Sequence, residues 1–192
     1  MGQVKVNFGK IVEDSEAFSK KSEKNIANKY ESSKQDFFSK FENHPVTQEI
    51  DSGPEASNSS RTLNGMGNLF SYIGFDKNSD PISVLREILD KSFNFKKTKI
   101  KNGKRFTINY PTLEKIKANT PMPWETGNSW VVGIERGISG FSNYMYKKFG
   151  GGRSGQGLQS ENRIRSGGFK KTKYMTDLIN QFVKQISKWK FN

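Results

Sequence analysis

The chain contains no cysteine and only one histidine, His44. Disulfide frameworks and zinc sites built from cysteine and histidine are therefore excluded within a single chain. Apolar residues are also scarce, at 32% of 192 residues, and the mean hydropathy is −0.79. Because a compact domain usually holds about 45 to 50% apolar residues with glycine counted, we expect some segments to gain order only through a partner.

Long apolar runs are absent as well. No run approaches the ~18 residues needed to span a bilayer, and the N-terminal stretch MGQVKVNFGK lacks the apolar core of an export signal. Gly2 suggests myristoylation, but Val6 stands where serine or threonine is required. We therefore expect a soluble chain that is not exported and has no membrane partner.

Acidic residues are few in two blocks of the chain. The whole sequence has 32 basic and 19 acidic residues, a net charge of +13. Residues 93–119 carry +7 and residues 145–192 carry +9, so the remainder is slightly acidic. Such fields attract phosphate backbones, acidic protein surfaces or anionic membranes. The alternative is a solvated cationic face without a fixed partner.

No catalytic pattern is present. The glycine-rich stretch at 150–157 resembles a phosphate-binding loop, but Gln156 and Gly157 stand where Lys-Ser/Thr is required. Glu135 lies in an apolar segment and suits either a general acid or base or, more simply, an interfacial ion pair with Arg136 or a lysine of the basic arm. We expect no enzyme activity, no cofactor and no metal site.

Apolar spacing predicts several elements. A stripe between Ile11 and Phe41 predicts one long helix, packed on a neighbouring subunit or within the chain. Asp80-Pro81 begins a short core helix, and Tyr174–Trp189 forms an amphipathic C-terminal helix. Helix 111–119 is also expected, with a buried strand or apolar plug at 69–75, a strand at 129–134 and an interface loop at 51–68.

The strongest local signal is a hairpin. Residues 93–100 and 105–110 alternate in β-prone residues around the Asn102-Gly103 turn. The resulting ribbon is highly basic, and such a ribbon suits a nucleic-acid groove or a negatively charged channel. Lysines that keep an edge strand from pairing with other chains are the alternative explanation.

These elements predict an α+β fold with a long N-terminal helix, a small antiparallel sheet with a basic hairpin, a C-terminal amphipathic helix and long loops. We divide the chain into an N-terminal arm and long helix at 1–43 and an α+β domain at 44–192, which carries a flexible basic loop at 147–173.

Several phrases resemble a known family: HPVTQEI at 44–50, GNLFSYIGF at 67–75, TPMPW at 120–124 and SWVVGIERGISG at 129–140. Over residues 40–175 the chain resembles small virion structural proteins of tailed bacteriophages, and among them neck or tail-completion proteins. The resemblance implies an α+β fold with a long helix against a small sheet, assembly into a ring at the head–tail joint or tail end, and no enzymatic activity.

Two functions follow from these observations. The first is a phage virion protein, assembled in the host cytoplasm, that forms homo-oligomeric rings and contacts other virion proteins and DNA. The second is a basic protein that binds nucleic acid without sequence preference. The candidate contacts to a DNA channel or a neighbouring subunit are Lys96, Lys97, Lys99, Lys101, Lys104, Arg105, Lys147, Lys148, Arg153, Arg163, Arg165, Lys170, Lys171 and Lys173.

Overall fold

The computed structural model describes residues 2–8, 16–63, 67–101, 103–123, 125–137 and 171–189. Their fold is α+β, as predicted. In chain order the elements are β1 (Gly2–Phe8), α1 (Glu16–Glu42), α2 (Pro45–Asp51), a 3-10 turn (Gly53–Glu55), α3 (Leu69–Ile73), α4 (Pro81–Asp90), β2 (Asn94–Ile100), β3 (Gly103–Tyr110), α5 (Leu113–Asn119), β4 (Pro121–Met122), β5 (Glu125–Ser129), α6 (Trp130–Arg136) and α7 (Met175–Ser187).

The main sheet is antiparallel and has the strand order β1-β3-β2. The predicted hairpin is confirmed, because β2 pairs with β3 up to the Ile100–Gly103 pair. The third strand, β1, was not predicted. It pairs with β3 along its whole length, from Gly2 opposite Tyr110 to Phe8 opposite Lys104. A second, two-stranded sheet joins β4 and β5.

Helix α1 covers one face of the main sheet. The predicted stripe is confirmed where it can be seen, because these five residues are all buried: Ile26, Tyr30, Ser33, Phe37 and Phe41. The Tyr30 ring stacks on Phe95 of β2 with centroids 5.2 Å apart. Phe37 meets Phe182 of α7 edge to face at 6.0 Å. This part of the stripe therefore packs inside the chain and is not available to a neighbouring subunit. Residues 11–15 lie outside the described ranges.

Two short apolar segments are helices: 69–73, for which a buried strand or an apolar plug was predicted, and 130–136, where a strand was predicted. At 69–73 the helix α3 begins at Asn68, whose Oδ1 accepts a hydrogen bond from the Ser71 amide (2.9 Å), and ends at Gly74 with φ of 83°. At 130–136 the helix α6 begins at Ser129 and ends at Gly137 with φ of 95°. In runs this short the apolar pattern does not separate strand from buried helix, and the capping residues decide.

The other predicted helices are confirmed. α4 begins at Asp80, whose Oδ1 accepts from the Ser83 amide at 2.9 Å, with Pro81 in its first turn. Hydrogen bonds from the Ser83 hydroxyl and, next, from the Ser83 amide lower the pKa of Asp80. α7 buries the following residues against the rest of the core: Met175, Leu178, Phe182 and Ile186. α5 at Leu113–Asn119 begins at Thr112 and buries Ile116.

The polar segment predicted as an interface loop packs on its own chain where it is described. The carboxylate of Glu49, which is only 1% exposed, accepts hydrogen bonds from the amides of Ser60 (2.7 Å) and Leu69 (2.8 Å). Leu63 is fully buried. Such bonds offset part of the cost of burying a carboxylate, and they attach Ser60, in the middle of this segment, and Leu69, the residue after it, to α2. Residues 64–66 lie outside the described ranges.

Candidate basic surface of the sheet

The cations of the hairpin are divided between the two faces of the sheet. Side chains alternate along a strand, and residues paired across strands share a face. Lys97, Lys99 and Lys104 lie on the inner face, which α1 covers, together with Phe95 and Phe106. We call the opposite side of the sheet the outer face; its described residues are Gln3, Lys5, Asn94, Lys96, Thr98, Ile100, Arg105, Thr107 and Asn109.

The inner-face lysines are held by an acid of α1. Lys97 Nζ and Lys104 Nζ both donate to the carboxylate of Glu23. The hydrogen bond from Lys104, and next that from Lys97, lower the pKa of Glu23 to about 2. Two of the predicted partner contacts therefore dock the helix on the sheet. Glu23 lies three residues before Ile26 and seven before Tyr30. This helical spacing indicates that Glu23 is on the same side of α1 as the buried stripe.

The outer face presents cations to solvent. Thr107 of the central strand stands between Lys5 and Lys96, and both lysines are exposed. Lys101, at the tip of the hairpin, is exposed too, as is Lys99, which pairs with Lys104 on the inner face. In the described part of the chain, no carboxylate lies within 4.0 Å of these four ammonium groups. Lys5 joins the site only because β1 pairs with β3, which the sequence reasoning missed.

Apart from the cations and Ile100 next to the tip, the described residues of the outer face are neutral and polar. Gln3 Nε2 donates to Asn109 Oδ1 across the β1–β3 pair at 3.2 Å. No aromatic side chain is found among the described residues of this face. The aromatic rings of the hairpin are on the other side, where Phe95 and Phe106 stack at 5.7 Å and Phe106 is buried. The outer face therefore offers charge and hydrogen bonds without rings.

The second basic block is described only at its end. Lys171 and Lys173 are exposed just before α7. The remaining predicted contacts lie outside the described ranges: Lys147, Lys148, Arg153, Arg163, Arg165 and Lys170. The predicted basic loop at 147–173 thus stays a prediction.

Glu135 caps the N-terminus of helix α7. Its two carboxylate oxygens accept from the amide and the hydroxyl of Thr176, each at 2.7 Å. Tyr174, which precedes α7, supplies no side-chain cap, so Glu135 satisfies an amide that the first turn leaves without a helical partner. In the described part of the chain no ion pair with Arg136 accompanies this contact; the arm lysines Lys147, Lys148 and Lys170 lie outside the described ranges. Nearby, the Thr172 amide donates to the Ile134 carbonyl at 3.4 Å.

His44 also caps a helix. Its Nδ1 accepts from the Val46 amide at 3.2 Å, with Pro45 in the first turn of α2. The ring packs on Tyr174 with centroids 4.7 Å apart. Burial lowers the pKa of His44, and the charge of Asp177 opposes this effect. The histidine therefore acts as a neutral hydrogen-bond acceptor that starts a helix.

An open groove of about 600 Å³ runs between α1 and α4. Its walls are joined by ion pairs within the chain: Arg86 donates to both oxygens of Glu42 (2.7 and 3.0 Å), and Lys34 pairs with Asp90 at 2.7 Å. These contacts connect α4 to α1. Among the described residues no group of three or more histidine, aspartate and glutamate side chains is placed to hold a metal ion. No helix in the described ranges is long and apolar enough to cross a membrane.

Comparison of the chain with protein-family models, curated proteins and solved structures finds no match. The resemblance to phage neck and tail-completion proteins therefore stays a prediction.

Proposed function

We propose that this protein is a non-enzymatic structural component of a tailed-phage virion, which forms a ring at the neck or tail end and joins head to tail. One observation carries the proposal: a long helix, α1, packs on a small antiparallel sheet. This is the arrangement that the sequence resemblance implies. The α+β class alone is shared by proteins of many functions. The proposal therefore also depends on the four sequence motifs at 44–50, 67–75, 120–124 and 129–140.

The two faces of the sheet suit such a role. α1 closes the inner face with aromatic packing and with the Glu23 ion pairs. The outer face stays open and cationic. In a ring around a DNA path, an open cationic face attracts the phosphates that pass it. The rest of the described surface is left for neighbouring subunits and other virion proteins.

The oligomeric state tests the proposal. We expect closed rings of one size in negative-stain electron microscopy of the purified protein, and a matching single high-mass species in analytical ultracentrifugation. Both measurements are made at low and high salt. Nonspecific association of a basic protein is electrostatic and is weakened by salt, so it can be told from a specific ring. A strict monomer at high concentration, together with no ring density in particles that contain the protein, would contradict the assignment.

A second function is favoured by the outer face itself. Lys5 and Lys96 flank Thr107 with no described carboxylate within ion-pair distance, which also suits a protein that binds nucleic acid without sequence preference. Such a protein needs no ring. A chain that stays monomeric and binds DNA with a steep salt dependence supports this second function over the first.

A further inference from the structure

We propose that the outer face binds the phosphate backbone of duplex DNA, without reading or stacking on bases. The inference deepens the proposed function and rests on its premise that DNA passes this protein. The proposed contacts are Lys5, Lys96 and Arg105 of the outer face with Lys101 at the tip of the hairpin; the inner-face lysines Lys97, Lys99 and Lys104 are not among them.

Glu23 reduces the positive charge of the inner face relative to the outer face. Its single carboxylate engages both Lys97 and Lys104, so one of their two positive charges is neutralised within the chain. Lys5 and Lys96 lie two strands apart, roughly 10 Å between backbones at the usual strand spacing. Arg105 is on the central strand, two residues closer to the hairpin tip than Thr107. The cations thus spread over the face, which suits several phosphates better than one bound anion.

Edge protection does not explain this distribution. Lysines on an edge strand prevent pairing with other sheets, and that accounts for the lysines of β2. Arg105 is on β3, which is paired on both sides and has no edge to protect. Lys5 is on the opposite edge strand, yet it lies on the same face as Lys96. A cationic face is the property that these positions share.

The neutral residues of the face also fit a phosphate backbone. Threonine, asparagine and glutamine side chains commonly donate hydrogen bonds to phosphate oxygens and position a protein without reading sequence. Thr98, Thr107 and Asn109 supply such groups between the cations. A protein partner usually needs apolar or aromatic anchors at the centre of its interface, and the described residues at the centre of this face include none.

The absence of rings on the described outer face favours duplex over single-stranded DNA. Sheets that bind unstacked bases present aromatic side chains on the exposed face. Here Phe95 and Phe106 point toward α1, with Tyr30 stacked on Phe95. The described residues of this face offer bases no aromatic ring to stack on, so the face contacts the backbone of a helix that keeps its bases paired.

Salt-dependent binding to a short mixed-sequence duplex, followed by fluorescence anisotropy, tests the inference. The test variant combines Lys5→Gln, Lys96→Gln and Lys101→Gln. The control removes equal charge from exposed lysines elsewhere, with Lys117→Gln, Lys184→Gln and Lys188→Gln. The slope of log affinity against log salt is negative, and the loss of three phosphate contacts makes it less steep by about 2.7. Between 50 and 200 mM salt, the test variant should therefore lose about 40-fold less affinity than the wild type. The control variant is expected to keep the wild-type slope.

Several results would overturn the inference. They are no duplex binding by the wild type at about 50 mM salt, an equal loss in test and control variants, tighter binding to single strands than to the duplex, or equal competition by polyglutamate. Melting curves check that both variants fold. Electron microscopy separates the two proposals. Rings together with an unchanged salt slope in the test variant support the ring-forming function and refute DNA binding by the outer face. The expected change in slope without rings supports DNA binding by the outer face and refutes the ring-forming function.

Discussion

Replacing Glu23 with glutamine tests how α1 is held on the sheet. The substitution keeps the size of the side chain and removes the charge that Lys97 and Lys104 share. Glutamine offers one neutral acceptor, so two ammonium groups are left facing each other with weaker hydrogen bonds. We therefore expect the folded state to be destabilised while the fold is kept.

The magnitude follows from the pKa of Glu23. A pKa lowered from 4.5 to about 2 corresponds to at most about 3.4 kcal/mol at 1.36 kcal/mol per unit. The side chains of Lys97 and Lys104 are 47% and 33% exposed, and solvent screening reduces such pairs considerably. We expect a loss of about 1 to 2 kcal/mol, or roughly 2 to 8 °C in melting temperature for a chain of this size.

The pH dependence gives the sharper assay. Glu23 has a lower pKa folded than unfolded, so its stabilisation is complete above about pH 4.5 and is lost as the pH falls toward 2. Urea unfolding of the wild type and of Glu23→Gln is compared at pH 7 and pH 3. The difference in unfolding free energy is expected to fall to less than half at about pH 3. Glu31→Gln, an exposed acid on the same helix, serves as the control and should change little at either pH.

Two outcomes would refute this reasoning. One is an equal loss of stability at both pH values, which would trace the effect to packing instead of charge. The other is an equal effect of Glu31→Gln, which would trace it to the overall charge of the helix. High salt provides a further check, because screening should shrink the Glu23 effect at pH 7.

The remaining predictions concern helix starts. Glu135→Ala leaves the Thr176 amide without its acceptor, so we expect a loss of about 1 to 2 kcal/mol and faster hydrogen exchange in the first turn of α7; equal changes in the exposed neighbour Arg136→Ala would contradict the capping role. His44 has its pKa lowered by burial, so its contribution to stability is present above the ordinary value of about 6.5 and is lost as the pH falls through the folded pKa. His44→Asn keeps a capping acceptor and should flatten that pH dependence in urea unfolding; an unchanged dependence would count against it.

Helices and strands with long patterns or strong turn chemistry were predictable. The stripe of α1, the Asp80-Pro81 start of α4 and the Asn102-Gly103 hairpin were all recognised from the sequence. The segments 69–73 and 130–136 were not, because five to seven apolar residues fit a strand as well as a buried helix. β1 was missed although Gln3 and Lys5 alternate with Val4 and Val6, since its pairing partner lies about a hundred residues away.

The candidate surface was predictable in composition and not in orientation. Alternation along β2 assigned Lys96 and Lys97 to different faces. Which face is covered depends on where α1 packs, and that is a tertiary fact. The pairing of Lys97 with Glu23 joins residues 74 positions apart, so local patterns cannot reveal it. The role of Glu135 was also hidden, because its partner Thr176 is 41 residues further on.

The contacts around α6 have a practical consequence for protein engineering. The chain leaves α6 at Gly137 and returns to the same helix when Thr172 bonds to Ile134 and Thr176 bonds to Glu135. The points of departure and return are thus fixed next to each other by residues outside 138–170. A folded insert with adjacent termini, such as a fluorescent reporter, is a natural replacement for that segment. The exchange would remove six candidate cations at once and keep the sheet with its outer face. DNA binding by this variant would then show how much the six cations contribute.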